Sequence, residues 1–254
     1  QCNRRARRAG ARIGDSLPSA QAMISNSLDP AVYRRQLEQQ GRVQIPGFLQ
    51  ADAAERLADC LRREVPWVTA ERGQPDTPPW SPEVARQRMP EAYRRAAAGF
   101  HFVYDRYLVV EAMRDGRDAG HLLHAVLTFF NSGPYLGFIR ELTGDDSLVA
   151  VGGQATRYLP GQFLRVHDDG HHDEARRYAY VLNLSRRWEP DWGGLLHFVD
   201  ADGRQLDAFL PRFNTLSLFK VPARHYVGVV APWAQEPRLS ITGWWHATPP
   251  ANGG

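Results

Sequence analysis

From Leu148 onward, short β-rich runs follow one another with little between them but Gly, Pro and Asp. The runs are LVAVGGQATRYL, QFLRVH, RYAYVLNLS, LLHFVD, LDAFL, TLSLFKV, YVGVV and RLSITGWWH, eight in all. Strands of this length, with turn residues at this spacing, fold as a double-sheet sandwich or jelly roll. The first half has a different texture. Asp29-Pro30 offers an N-cap and a proline at the first helical position, and Gly41 a stop, so 30–40 reads as a helix. VQIPGFL reads as a strand broken at Pro46-Gly47. Ala54, Leu57, Ala58, Leu61 and Val65 recur at helical spacing and give that helix one face to bury. A Pro-rich loop covers 75–83, a polar helix 83–98, and the aromatic FHFVYDRYLVV over 100–110 favours a strand. Two helices cover 118–143, interrupted near Asn131-Ser132-Gly133-Pro134. The expected class is mainly β with flanking helices (α+β), a jelly-roll core buttressed by N-terminal helices.

The chain has 254 residues, of which 43% are hydrophobic and 23% charged, which suits an ordinary globular protein. A net charge of +3 is weak support for nucleic-acid binding, and no direct nucleic-acid partner is expected. Two cysteines, Cys2 and Cys60, make no disulfide framework and fit a reducing cytoplasm. No apolar run reaches the roughly 18 residues of a membrane span. The basic stretch RRARRAGAR precedes the first methionine, Met23. Residues 1–22 are therefore expected to be a disordered extension before a natural start at Met23. Residues 23–250 then form a single domain, with helical support over 30–143 and a β core over 148–247.

Within the β half, RVHDDGHHDEARR holds three overlapping His-x-acid pairs: His167 with Asp169, His171 with Asp173, and His172 with Glu174. On a strand, residues two apart point to the same face, so such a pair can hold one metal together. The pattern alone is weak, since nine histidines in a chain with 28 acids give roughly one such pair by chance. The surroundings favour His167 and Asp169, because YLPGQFLRVH leads into them as a strand, with Asp168 facing away. His171, His172 and Asp173 lie beyond Gly170 and read as a solvated loop. Two histidines and one carboxylate leave coordination positions open, the facial arrangement of non-haem Fe(II) oxygenases. For the third ligand His225 is favoured over His197 and His246, because Arg238 follows it on a strand. Alternation puts Arg238, Ser240 and Thr242 on one face. A buried guanidinium there needs an anion, which a dicarboxylate chelating the metal at its other end would supply.

Several stretches in this order carry a resemblance: Y-x-x-G-x-F-L-x-x-H-x-D over Tyr158–Asp169, EARRYAYVLNLS, WGGLLHF from Trp192, His225, and RLSITGWWH over Arg238–His246. Together they resemble the 2-oxoglutarate- and Fe(II)-dependent oxygenases, in their prolyl-hydroxylase branch. The likeness is greatest to enzymes that hydroxylate a proline in a small-subunit ribosomal protein, of which only the catalytic domain is matched. Bacterial relatives include a hydroxylase of an elongation factor. The resemblance implies a double-stranded β-helix, a cupin-like form of the jelly roll. It implies Fe(II) on His167, Asp169 and His225, with 2-oxoglutarate and O2 as co-substrates. Arg238 and Tyr158 would hold the far carboxylate, assisted by Ser240. Asn183 stands where those enzymes carry tyrosine. The implied partner is a protein substrate presenting a proline. A free amino acid or small metabolite is the alternative substrate, and a non-catalytic cupin-like metal-binding or sensor domain the alternative class. Tyr104, Tyr107 and Arg106, with Phe102, are candidates for the substrate entrance. Trp192, Trp244 and Trp245 read as core, and Arg176, Arg177, Arg186 and Arg187 as surface charges able to meet an acidic partner.

Overall fold

The computed structural model describes residues 23–170 and 175–249. Its first half runs α1 (Pro30–Gln40), β1 (Arg42–Pro46), α2 (Ala51–Arg63), β2 (Val68–Glu71), α3 (Pro82–Ala98), β3 (Phe102–Tyr107), α4 (Val109–Arg114), α5 (Leu122–Phe130) and α6 (Gly133–Thr143). Nine strands follow: β4 (Ala150–Val151), β5 (Gln154–Tyr158), β6 (Phe163–His167), β7 (Arg176–Asn183), β8 (Leu196–Val199), β9 (Gln205–Phe209), β10 (Thr215–Lys220), β11 (His225–Val227) and β12 (Arg238–His246). Local chemistry explains the helix ends. The Asp29 carboxylate accepts the Ala31 N–H, Pro30 opens α1, and Gly41 closes it at φ 70°, donating to the Leu37 carbonyl. Ser81 caps α3 through the Val84 N–H. Residues 108–110 depart from expectation. The strand ends at Tyr107, Leu108 precedes α4, and Val109–Val110 open it, so the aromatic and apolar run is divided between two elements.

The strands are antiparallel and follow the path β1-β10-β7-β12-β5-β3-β6-β11-β8-β9, with β2 on β3 and β4 on β12. This path curls into a nearly closed barrel, the jelly-roll expectation. Its two end strands are joined by side chains instead of a backbone ladder. Arg42 Nε donates to Asp207 Oδ2 at 3.0 Å, and Gln44 Nε2 donates to the Leu210 carbonyl at 3.0 Å.

Alternation along the strands divides most of the apolar residues into two cores, and a third, smaller cluster packs Val103 and Phe163 against Met89, Ala92 and Ala96 of α3. Tyr178, Tyr180 and Leu182 of β7, Leu216 and Leu218 of β10, and Leu239, Ile241 and Trp245 of β12 point outward against Leu57 and Leu61 of α2, Phe130 of α5 and Tyr135 and Ile139 of α6. Ala179, Val181, Leu196, Phe198, Phe219 and Val227 point into the barrel with Tyr104 and Tyr158. With both faces covered, the last six residues of β7 are all buried. Among the described residues no single helix is long and apolar enough to cross a membrane. The bent pair α5–α6 is apolar enough by composition, but its Leu123, Val126, Phe130, Tyr135 and Ile139 are spent on the outer core.

Candidate active site

The barrel interior opens into a cavity of about 540 Å³, within the range of ligand sites. Antiparallel pairing of β6 with β11 sets His225 directly opposite His167, and their ring centroids are 4.2 Å apart. Asp169 lies two residues past the end of β6 and is 8% exposed. His167 Nε2 is 3.5 Å from Asp169 Oδ1, and His225 Nε2 is 3.5 Å from Asp169 Oδ2. One donor atom from each of the three falls within 4.8 Å of the other two, the one such His/Cys/Asp/Glu grouping among the described residues.

The backbone orients both imidazoles. His167 Nδ1 lies 2.9 Å from the Arg165 carbonyl, and His225 Nδ1 lies 2.7 Å from the Ala223 carbonyl. A carbonyl can only accept, so each Nδ1 carries the proton and each Nε2 presents a lone pair to the centre. Burial pushes the His225 imidazole down to about 4, against the pull of Asp169, so it is neutral at pH 7. Burial opposes charge on Asp169, yet the two imidazoles beside it outweigh that effect and hold the carboxyl below its usual range. Two imidazole nitrogens and one carboxylate oxygen, with one side open to the cavity, suit a divalent transition metal.

Deeper in the barrel lies Arg238, 2% exposed. Its guanidinium is 5.1 Å from the Tyr158 ring, and its Nε has no hydrogen-bond partner. Burial alone pushes it toward the neutral form, and no carboxylate among the described residues pairs with it. A buried guanidinium costs several kcal/mol unless an anion meets it, so the cavity floor fits a carboxylate-bearing ligand. Ser240 and Tyr158 line the floor beside it. The Ser240 hydroxyl is 2.8 Å from that of Thr156, and Tyr104 stacks on Tyr158 at 5.1 Å. Burial raises the Tyr158 phenol above its ordinary value, so it remains a hydroxyl donor.

The expected entrance residues separate by strand face. Phe102, Tyr104 and Arg106 line the cavity. Tyr107 does not. It turns to the opposite face of β3, where its hydroxyl donates to Asp118 at 3.0 Å and lies 3.0 Å from His124 Nε2. Period-two alternation separates it from Tyr104 and Arg106, so it is packing and leaves the entrance set. Asp168 is also corrected. The strand ends at His167, alternation stops there, and Asp168 lines the exposed rim with its carboxylate accepting the Gly170 N–H.

Trp192 and Trp245 are core, as expected. Trp244 instead lines the cavity, with the Arg176 guanidinium 3.7 Å over its ring. The alternation that unites Arg238, Ser240 and Thr242 continues to Trp244, so this position was readable. Arg177 pairs with Asp145, Arg186 with Glu55 and Arg187 with Glu189, all outside the cavity. His197 stacks on Tyr226 at 4.4 Å, and His246 lines the cavity. Neither joins the triad. Asn183 Nδ2 donates to the Thr215 carbonyl at 3.1 Å, and the residue is not in the cavity lining. The expected loop around His171, His172 and Asp173 lies outside the described residues.

Comparison with known proteins agrees with this geometry. The family model described as the 2OG-Fe(II) oxygenase superfamily matches residues 153–246, which hold the triad and Arg238. Mouse prolyl 3-hydroxylase OGFOD1 is 28% identical over 118 residues, 44% of this chain and 21% of that protein. The chain thus spans about a fifth of that relative's length. Among solved structures, a 2OG-Fe(II) oxygenase family oxidoreductase from Burkholderia pseudomallei aligns at TM-score 0.60 and 19% identity, covering 89% of this chain and 95% of that one. A Trichoplax adhaerens prolyl hydroxylase, solved with a hypoxia-inducible-factor degradation-domain peptide, aligns at TM-score 0.56 and 15% identity, covering 86% and 89%. At these identities the structures speak to fold alone. The family match lies on residues 153–246, so it is this β core that is similar to the 2OG-Fe(II) oxygenase superfamily, on a fold that the solved structures share.

Proposed function

We propose that the chain hydroxylates a prolyl residue presented by a protein segment, with His167, Asp169 and His225 holding Fe(II) and Arg238, Tyr158 and Ser240 holding 2-oxoglutarate. One observation carries this reading: three donor atoms within 4.8 Å of one another share a cavity with a buried guanidinium that lacks an anion. A metal bound there would supply the oxidation of a C–H bond by O2, one oxygen atom going to the substrate and the other to succinate as 2-oxoglutarate lost CO2. The protein's share is positioning. His167 and His225 hold their Nε2 atoms toward the centre through the backbone bonds at Nδ1, and Asp169 adds the one anionic ligand. Arg238 offers a planar fork to the far carboxylate, and the Tyr158 hydroxyl and Ser240 add single hydrogen bonds. Tyr104, packed on Tyr158, keeps that end of the cavity dry. Helical segment 30–143 and β core 148–247 serve as one catalytic unit in the cytoplasm.

Cavity length favours a protein segment over a free amino acid. The lining follows β12 from Arg238 to Trp244 and His246, and six residues at ~3.3 Å each make about 20 Å. That is more than a five-carbon dicarboxylate and one amino acid need, and suits several residues of extended chain. The likeness to a prolyl 3-hydroxylase supports proline as the reacting residue, in a protein such as a ribosomal protein or elongation factor.

Anaerobic addition of Fe(II) and 2-oxoglutarate should give a weak visible charge-transfer band. Asp169→Ala should abolish it and Arg238→Ala should weaken it. No band in the intact protein overturns the ligand assignment. The substrate is tested separately, by mass spectrometry of cells with and without the gene. A proline that gains one oxygen only when the gene is present supports the reading, and its absence overturns it.

A further inference from the structure

The outer cavity carries charged groups that oxidation of a C–H bond does not require. Most are committed elsewhere. Arg106 donates to Asp76 at 3.0 Å, Arg176 lies over Trp244, and Asp168 accepts the Gly170 N–H. Glu111 is the exception. It sits in the first turn of α4, lines the cavity beside Leu108 and Val110, and is partly buried. Its carboxylate has no hydrogen bond or ion pair to any described residue. The dipole of a six-residue helix accounts for an acid in its first turn, but not for one facing a substrate cavity on an apolar wall. Helix α4 packs on β5, whose outer residue Gln154 pairs with Thr242 of β12. Glu111 therefore flanks the outward course from Arg238 toward Trp244.

We propose that Glu111 is a specificity-determining residue: it pairs with a Lys or Arg side chain of the substrate segment, a few residues from the oxidised one. This rests on the protein-segment reading above. The two arginines that would otherwise favour an acidic segment are occupied by Asp76 and by the Trp244 ring. The free charge on this wall is negative, so complementarity selects a cationic segment. A partly desolvated carboxylate gains more from such a pair than a fully solvated one.

The test uses the whole chain and proline-centred peptides of about fifteen residues, carrying Arg, Gln or Glu singly at each flanking position. The readout is kcat and KM for oxygen gain by mass spectrometry. The wild type should favour Arg over Gln at one or two positions by about fivefold, through KM, and high salt should reduce the ratio. Glu111→Gln should flatten the ratio, and Glu111→Arg should invert it toward the Glu peptides. Equal wild-type rates for Arg and Gln peptides at every position, or an unaltered ratio in Glu111→Arg, overturns the assignment of Glu111 alone. If no peptide gains oxygen at all, the prolyl reading itself falls and takes this one with it.

Discussion

Arg238 sets up a conflict between holding a ligand and holding the fold. Its guanidinium is 2% exposed, its Nε is unpaired, and burial pushes it toward neutrality. An apolar side chain of similar length would relieve that cost in the ligand-free protein. Arg238→Met should therefore raise the melting temperature of the ligand-free chain, by about 1–3 kcal/mol of stability, while abolishing the 2-oxoglutarate-dependent band. Arg238→Lys keeps the charge but loses the planar fork, and should weaken 2-oxoglutarate by about ten- to a hundredfold in a titration of that band. A drop in ligand-free stability for the methionine variant would show that Arg238 is held by contacts of its own. Cys60 obeys the same rule with the opposite sign. It is fully buried in α2, and burial pushes its thiol up to about 12. The unfolded thiol ionises near pH 9, so the folded protein binds an extra proton between pH 9 and 12. Stability from this group is complete below pH 9 and is lost as pH rises through that window. Alkylation at Cys60, followed by peptide mapping at pH 8, should track global unfolding; rapid labelling of the folded chain would contradict it.

Among the elements, strands with one polar and one apolar face were the most legible. RLSITGWWH gave Arg238, Ser240 and Thr242 on one side and Leu239 and Ile241 on the other, and that is how β12 lies. The same alternation continues to the adjacent tryptophans, setting Trp244 toward the cavity and Trp245 toward the core. Strand β2 left little trace in the sequence, since four residues after Pro66-Trp67 hold no alternation long enough to read. Helix α4 hides within a strand-like run because Val109 and Val110, which open it, favour strands by propensity. Close approach at the turn before β5 was equally invisible. A Cβ on Gly243 would lie 2.0 Å from the Gly152 carbonyl oxygen, so β12 can pass that backbone only with glycine there. Gly243→Ala should cost about 1–3 kcal/mol in denaturant unfolding. Trp245→Ala should cost more, about 3–5 kcal/mol, since its ring is fully buried among Tyr135, Tyr178 and Tyr180. Near-neutral behaviour at Gly243 would mean that the turn gives way instead of the strand.

At the scale of the whole molecule, the barrel is stabilised unevenly. Strands β7, β10 and β12 are clamped between the helices and the interior, whereas β11, β8 and β9 contribute no residue to a helix-backed cluster and β6 contributes only Phe163, packed on α3. The triad lies on this less supported side, with His167 ending β6 and His225 opening β11. A metal held there bonds two strands that otherwise share only a short, bulged ladder. Any ligand that binds only the folded state stabilises it by RT ln(1 + [L]/Kd), about 2.7 kcal/mol at a hundredfold excess over Kd. For a chain of this size that corresponds to roughly 5–10 °C in Tm. Mn(II), a redox-quiet stand-in for Fe(II), should therefore raise Tm by several degrees, and 2-oxoglutarate should add a second increment only when the metal is present. Asp169→Ala should remove both increments. Arg238→Ala should keep the first and lose the second, because the guanidinium faces the organic ligand and not the ion. Hydrogen exchange should slow chiefly in β6 and β11 on metal addition, with little change in β7 or β12. Equal protection across all strands, or a 2-oxoglutarate increment that survives in Arg238→Ala, would mean that the metal and the carboxylate are not held by these two separate parts of the barrel.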